Sequence, residues 1–136
     1  MKVVVDANVL FSSTIKKGLT YRALLNPDLD LCAPRFIAEE FLEHKEEAFL
    51  KFGGRREDFD RAVELLFSFI RLVDNSLLLP YLPAARELTT DEDDWLYLAC
   101  ALRENAAIWT QDGGFTGQKR VKILTTAELA KEVGLL

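Results

Sequence analysis

The segment "KVVV" at residues 2–5 constrains the fold more than any other. It is too short and too β-branched for a helix, and adjacent valines present apolar side chains to both faces of a strand. Such a strand belongs in the interior, covered on both sides. It ends on Asp6, a carboxylate that cannot be buried alone without large cost.

The rest of the chain alternates in the same sense. After a Ser/Thr-rich turn, "GLTYRALLNP" predicts a short helix with an N-cap at Thr20 and a stop at Asn26-Pro27, and "LDLCAP" a strand ending at Pro34. From residue 35 to about 52, Phe36, Ile37, Phe41, Leu42, Phe49 and Leu50 recur at helical spacing until Gly53-Gly54, which predicts one helix. "REDFDRAVELLFSFIRLV" repeats the pattern, with Phe59, Ala62, Val63, Leu66, Phe67 and Ile70 on one side, and runs into a third strand near Ile70–Val73. One or two helical turns are expected after Pro83. "WLYLACALREN" reads as a helix, "AAIWT" and "KRVKILT" as strands, and "TAELAKEVGLL" as a helix capped by Thr125 or Thr126. This order places the chain in the α/β class, with a parallel sheet of about five strands covered on both faces. No repeat or linker interrupts it, so residues 1–136 read as a single domain.

The length suffices for a core without disulfides or structural metals. Cys32 and Cys100 both sit in apolar stretches and read as small buried hydrophobes. No apolar run approaches the ~20 residues that span a bilayer, and no leader-like segment precedes the first strand, so a cytoplasmic protein is expected. A net charge of −5 argues against broad electrostatic binding of nucleic acid, which takes clustered Lys and Arg. The same acidic total arises where carboxylates are gathered to hold a divalent cation.

The positions of the acids favour that second origin. In open parallel sheets, ligands bind beyond the carboxyl ends of the strands. Asp6 ends the first strand, and Asp112 follows "AAIWT" by two residues. Glu39 and Glu40 lie in the first turns of the helix after the second strand, and Asp91, Glu92, Asp93 and Asp94 crowd the start of "WLYLACAL", where Asp also caps free amides. Four segments thus deliver acids to one edge. Carboxylates so placed take up protons unless a cation compensates them, and an all-oxygen set suits Mg²⁺ or Mn²⁺ rather than Zn²⁺. Such ions position phosphates and activate water, which points to metal-assisted phosphodiester hydrolysis.

Four motifs, "VVVDANVL", "APRFIAEEFLEH", "DEDDWLYLACAL" and "IWTQDGGF", together resemble the PIN-domain ribonucleases, over most of the chain up to residue 115. The resemblance implies a three-layer α/β/α PIN-like domain acting as a Mg²⁺- or Mn²⁺-dependent endoribonuclease. It assigns Asp6 as the first metal ligand, accompanied by Asn8. It favours Glu40 over Glu39, because the family's Glu usually precedes a large apolar residue. It selects Asp94, which begins the apolar helix, and leaves Asp91 as an auxiliary acid or cap. The fourth acid is Asp112, with Thr110 as a hydrogen-bonding neighbour. The last two motifs look closest to small prokaryotic PIN proteins. Relatives such as the VapC-type toxins are ribonucleases held by a cognate antitoxin, so an RNA substrate, a small antitoxin protein and a homodimer are further implications.

Cations suited to guiding RNA are Arg55 and Arg56 in "KFGGRRED", with Lys16, Lys17, Lys119 and Arg120 as further candidates at the catalytic rim. His44, four residues after Glu40, reads as a surface residue, and Trp95 and Trp109 as packing around the site. Two other classes make distinct demands. A non-catalytic PIN-like module binding RNA or protein predicts a broken acid set, and every matched position is filled. A phosphotransfer domain predicts a fixed partner beside its acceptor Asp, and "ANVLFSS" after Asp6 supplies no basic one.

Overall fold

The computed structural model describes residues 1–111 and 114–136. Strand β1 (Lys2–Val5) is the middle of a five-stranded parallel sheet of order β3-β2-β1-β4-β5, with β2 at Asp30–Pro34, β3 at Ile70–Val73, β4 at Ala107–Trp109 and β5 at Ile123–Leu124. Val3, Val4 and Val5 are 0% exposed, as a strand apolar on both faces requires.

Helices cover both faces, as the sequence predicts. On one lie α1 (Ala7–Ile15), α2 (Leu19–Leu24), α3 (Phe36–Glu43), α4 (Lys45–Phe52) and α5 (Arg56–Ser68), grouped around α1, with α9 (Thr126–Glu132) beside α2. On the other, α6 (Asn75–Leu78) and α7 (Leu82–Leu88) pack on α8 (Trp95–Glu104), which lies against β1, β2 and β4. The division follows from handedness. The chain winds outward from β1 to β3 and then crosses back to β4, and right-handed crossovers running in opposite directions place their helices on opposite faces. Among the described residues no helix is long and apolar enough to cross a membrane.

Three local expectations are corrected. The helix predicted over residues 35–52 is two, α3 and α4, parted at His44 (φ −114°, ψ 9°). The bend wraps both around α1: Phe41 stacks on Phe11 at 5.1 Å, His44 meets the same ring edge-on at 5.6 Å, and Ala48 is buried. The N-cap position of α2 is Gly18 rather than Thr20, whose hydroxyl instead lies 3.4 Å from that of Thr126 on α9. Strand β5 keeps only two residues because Gln118 occupies the backbone of Val121: its amide donates to the Val121 carbonyl and its oxygen accepts the Val121 N–H, both at 2.9 Å.

Cys32 and Cys100 are free and buried, as expected. At the amino edge of the sheet, Glu104 accepts from Arg71 at 2.7 Å and Arg103 at 2.6 Å and lies 3.8 Å from Lys2, tying the last turn of α8 to β1 and β3.

Helix α9 begins with a capping box. The Glu128 N–H donates to the Thr125 hydroxyl at 3.2 Å, and the Thr125 N–H donates to the Glu128 carboxylate at 3.0 Å, while Leu129 and Ala130 are buried beneath. Thr125→Ala is expected to cost about 1 kcal/mol, read as a lower urea midpoint at unchanged m-value. An unshifted midpoint would show that packing alone sets this helix.

Candidate active site

The chain reverses its winding between β1 and β4, so the connections leaving their carboxyl ends diverge to opposite faces, and this topological switch point is where open α/β sheets place their ligands. Asp6 and Thr110 leave the sheet there, one after each strand. The Asp6 N–H still donates to the Trp109 carbonyl at 3.0 Å, so the acid is fixed by the ladder itself. One carboxylate oxygen accepts the Ala7 N–H at 2.8 Å at the start of α1, and the other accepts the Thr110 hydroxyl at 2.8 Å. Thr110 is 0% exposed and also accepts from the Asn8 side-chain amide at 3.2 Å, while the Asn8 oxygen accepts the Gln111 N–H at 3.2 Å. Asn8 and Thr110 therefore orient Asp6 and hold the segment that leaves β4.

The second acid comes from α3. Glu39 is exposed and Glu40 half-buried, so Glu40 is the one turned inward, as a ~100° step between helical neighbours demands. The Tyr97 hydroxyl donates to Glu40 Oε1 at 2.5 Å. Tyr97 is 1% exposed, and Phe36 and Phe115 meet its ring edge-on at 6.3 and 6.1 Å. Burial and the Glu40 carboxylate push its hydroxyl far above the ordinary tyrosine range, so it stays a donor. Nothing in the sequence motifs singles out Tyr97. The signal it carries is a hydroxyl-bearing ring three residues after Asp94, hence on the same helix face, within an otherwise apolar run.

Asp94 occupies the N-cap position of α8, yet its side chain makes no capping hydrogen bond. Capping of the preceding turn falls to Asp91, which accepts the Asp93 N–H at 3.1 Å. The Asp94 carboxyl is pushed up from 3.8 to about 6, by burial first and then by Asp91, Asp6, Asp93 and Glu40. Glu40 is raised as well, by burial, with the Tyr97 hydrogen bond opposing and Asp6 and Asp93 adding to the rise. Asp6, Glu40 and Asp94 thus share one electrostatic site.

The fourth acid, Asp112, lies outside the described residues. Three positions on, Phe115 takes a left-handed φ of 64° and is 5% exposed against Tyr97, which pins that part of the loop to the site. Among the described residues, no three acidic, histidine or cysteine side chains stand close enough to grip one ion together. The oxygen-only donors, half-buried and resisting ionisation, suit a hard divalent cation that keeps much of its water and takes few carboxylates.

Five of the six cations proposed for RNA are paired or stand away from the acid rim. Arg56 donates to both oxygens of Glu46, at 2.9 and 2.8 Å, and lies 3.9 Å over the Phe49 ring; Arg55 pairs with Glu57. Lys16 and Lys17 follow α1, whose nine residues carry them about 13 Å along the axis from Asp6. Arg120 lines a 550 Å³ cleft with Lys2 and Lys122, beside the starts of β1, β4 and β5, so it stands at the amino edge rather than the acid rim. Lys119 is exposed on the loop before β5. His44 is exposed, and Trp109 is buried with its indole N–H donating to Thr126 at 3.0 Å, both as expected.

The raised Asp94 carboxyl makes stability depend on pH. Between the unfolded value of 3.8 and the folded value of about 6, the folded state holds the proton more tightly, so stability falls as pH rises through this window. Asp94→Asn is therefore expected to raise the Tm of the metal-free protein at pH 7, with no gain below about pH 4, where both states are protonated. A Tm at pH 7 no higher than wild type would show that the buried, crowded carboxylate costs the folded state nothing there.

The PIN domain family matches residues 4–133. Among solved structures, VapBC2 from Rickettsia felis bound to a DNA fragment from its promoter is similar with a TM-score of 0.67 at 15% identity, over 92% of this chain and 98% of that one. A toxin–antitoxin complex from Klebsiella pneumoniae gives 0.65 at 17% identity, over 91% and 97%, and PAE2754 from Pyrobaculum aerophilum gives 0.64 at 16% identity, over 100% and 91%. No curated protein matches. At these identities the structural likeness is one of fold, and it agrees with the family match in a three-layer α/β/α architecture. With nearly its whole length matched, the chain belongs to the PIN-domain family.

Proposed function

We propose that residues 1–136 form a single PIN domain that hydrolyses RNA phosphodiester bonds with Mg²⁺ or Mn²⁺, as the toxin of a toxin–antitoxin pair. What carries this reading is the electrostatic coupling of Asp6, Glu40 and Asp94 at the switch point of a PIN fold, where burial first and the neighbouring carboxylates next lift the Asp94 carboxyl to about 6. Asp6, Glu40, Asp94 and Asp112 are the residues that would hold the ion. When bound, such an ion supplies positive charge to the crowded phosphate and acidity to the attacking water.

The chain's own part is orientation. Thr110 and the Ala7 amide each bind one oxygen of Asp6, so its carboxylate has a single setting. Tyr97 does the same for Glu40 from a position that water does not reach. Asp94 is spared from capping by Asp91, which leaves its carboxylate available to the site. The toxin context is supported by the Klebsiella pneumoniae relative, a toxin–antitoxin complex, and by VapBC2 of Rickettsia felis. A small antitoxin protein, a homodimer and a cytoplasmic setting complete the proposal. A PIN-like module that binds RNA or protein without cutting it is the alternative reading.

Labelled RNA incubated with Mg²⁺, Mn²⁺ or EDTA separates the two. The nuclease reading expects cleavage with either metal, none in EDTA, and a loss of at least about 100-fold in Asp6→Asn, since even groups that only support a ligand cost 10–100-fold. Metal-dependent cleavage undiminished in Asp6→Asn would sink the site. RNA bound and left whole under every metal condition would establish the binding module.

A further inference from the structure

A cluster of carboxylates repels the polyanion it is meant to cut, so RNA needs cations close to the acids. Arg55 and Arg56 are spent on Glu57 and Glu46, Lys16 and Lys17 stand at the far end of α1, and Arg120 faces the amino edge. One cation does sit beside the acid loop, and the sequence analysis gave it no role. Arg86, exposed in the last turn of α7, lays its guanidinium carbon 5.1 Å from the centre of the Trp95 ring, and Trp95 is the residue next to Asp94.

Resting on the nuclease reading above, we propose that Arg86 on Trp95 is a phosphate-binding subsite, which takes the RNA phosphate adjacent to the one being cut. The indole is fixed: its N–H donates to the Thr89 carbonyl at 2.9 Å, and the ring is half-buried. A cation this near a ring is held there by the ring's quadrupole, and the guanidinium keeps its in-plane N–H donors, the fork that matches two phosphate oxygens. Among the described residues no carboxylate pairs with Arg86, so those donors are not already committed. An arginine held against a ring also loses less freedom on binding than a free lysine. Because Trp95 points ~100° around the helix from Asp94, the guanidinium flanks the carboxylates, which assigns it the neighbouring phosphate.

The test is steady-state cleavage of a single-stranded oligoribonucleotide across a KCl series, by wild type, Arg86→Ala and Arg86→Lys of matched Tm. Arg86→Ala is expected to raise KM about tenfold at nearly unchanged kcat, and to reduce the slope of log(kcat/KM) against log[KCl] by ~0.7, one single-strand phosphate contact. Arg86→Lys keeps the charge and hence the slope, with KM between the other two. Arg86→Ala with wild-type KM and slope overturns the subsite, and so does a loss confined to kcat. A wild-type protein that cuts no RNA fails the nuclease reading and the subsite with it, whereas an active wild type with an indifferent Arg86→Ala fails the subsite alone.

Discussion

The place of β1 between β2 and β4 governs this molecule. A strand whose three valines are all fully buried needs neighbours along both edges and helices over both faces, and each such side chain contributes about 1.5–3 kcal/mol for that cover. A chain that starts on the middle strand satisfies both demands by winding outward to β3 and then returning to β4 on the other side. That reversal makes the carboxyl end of β1 the topological switch point, where ligands of open α/β sheets bind. Asp6 is therefore in the site because the valines are in the core. The carboxylate escapes solitary burial through an amide, a threonine hydroxyl and the electrostatic company of Glu40 and Asp94.

That company is costly to the folded protein, and the surrounding structure has to hold it together. Nothing in the local chemistry of α3 and α8 draws Glu40 toward Asp94; like charges drive them apart, and both resist ionisation. Tyr97 counters this by donating to Glu40 from a buried ring wedged between Phe36 and Phe115. The same ring therefore fixes one acid and anchors the loop beyond β4. Aromatic packing and carboxylate placement are one arrangement here, which is how a site can carry repulsion within an otherwise well-satisfied core.

Much of this was legible in the sequence, and what escaped has a physical reason. Strand runs such as Val3-Val4-Val5 and the 3.6-residue spacing of Phe59, Ala62, Val63 and Leu66 are local signals, and they located the sheet and its covering helices. The carboxyl-end rule puts Asp6 and the end of β4 at one edge of the sheet from sequence alone. The bend at His44 was not visible, because it answers to Phe11 on another helix; nor was the short β5, whose ladder is displaced by the Gln118 side chain. For Asp94, composition alone could not separate capping from site duty, since both put an acid at a helix start. Only the hydrogen bonds did so, by giving the cap to Asp91. The cations were the least legible. A charge read along the chain says nothing of whether a carboxylate on the next turn or the next helix has already claimed it, as Glu46 has claimed Arg56.

Screening sharpens the question of which charges bear on the acids. At physiological ionic strength an exposed charge is felt over about 8 Å, so lysines some 13 Å away along α1 act on the acids weakly. For a protein of net charge −5, long-range attraction of a polyanion is therefore not available, and capture depends on what stands within a few ångströms of the acid site. Two kinds of positive charge would meet that condition: an ion that the carboxylates take up, and the Arg86 guanidinium of the proposed subsite on Trp95. The first would neutralise the cluster where the phosphate must lie, and the second would offer a fork to its neighbour. An acidic protein that handles RNA by these means would discriminate by fit at the acid site rather than by long-range attraction.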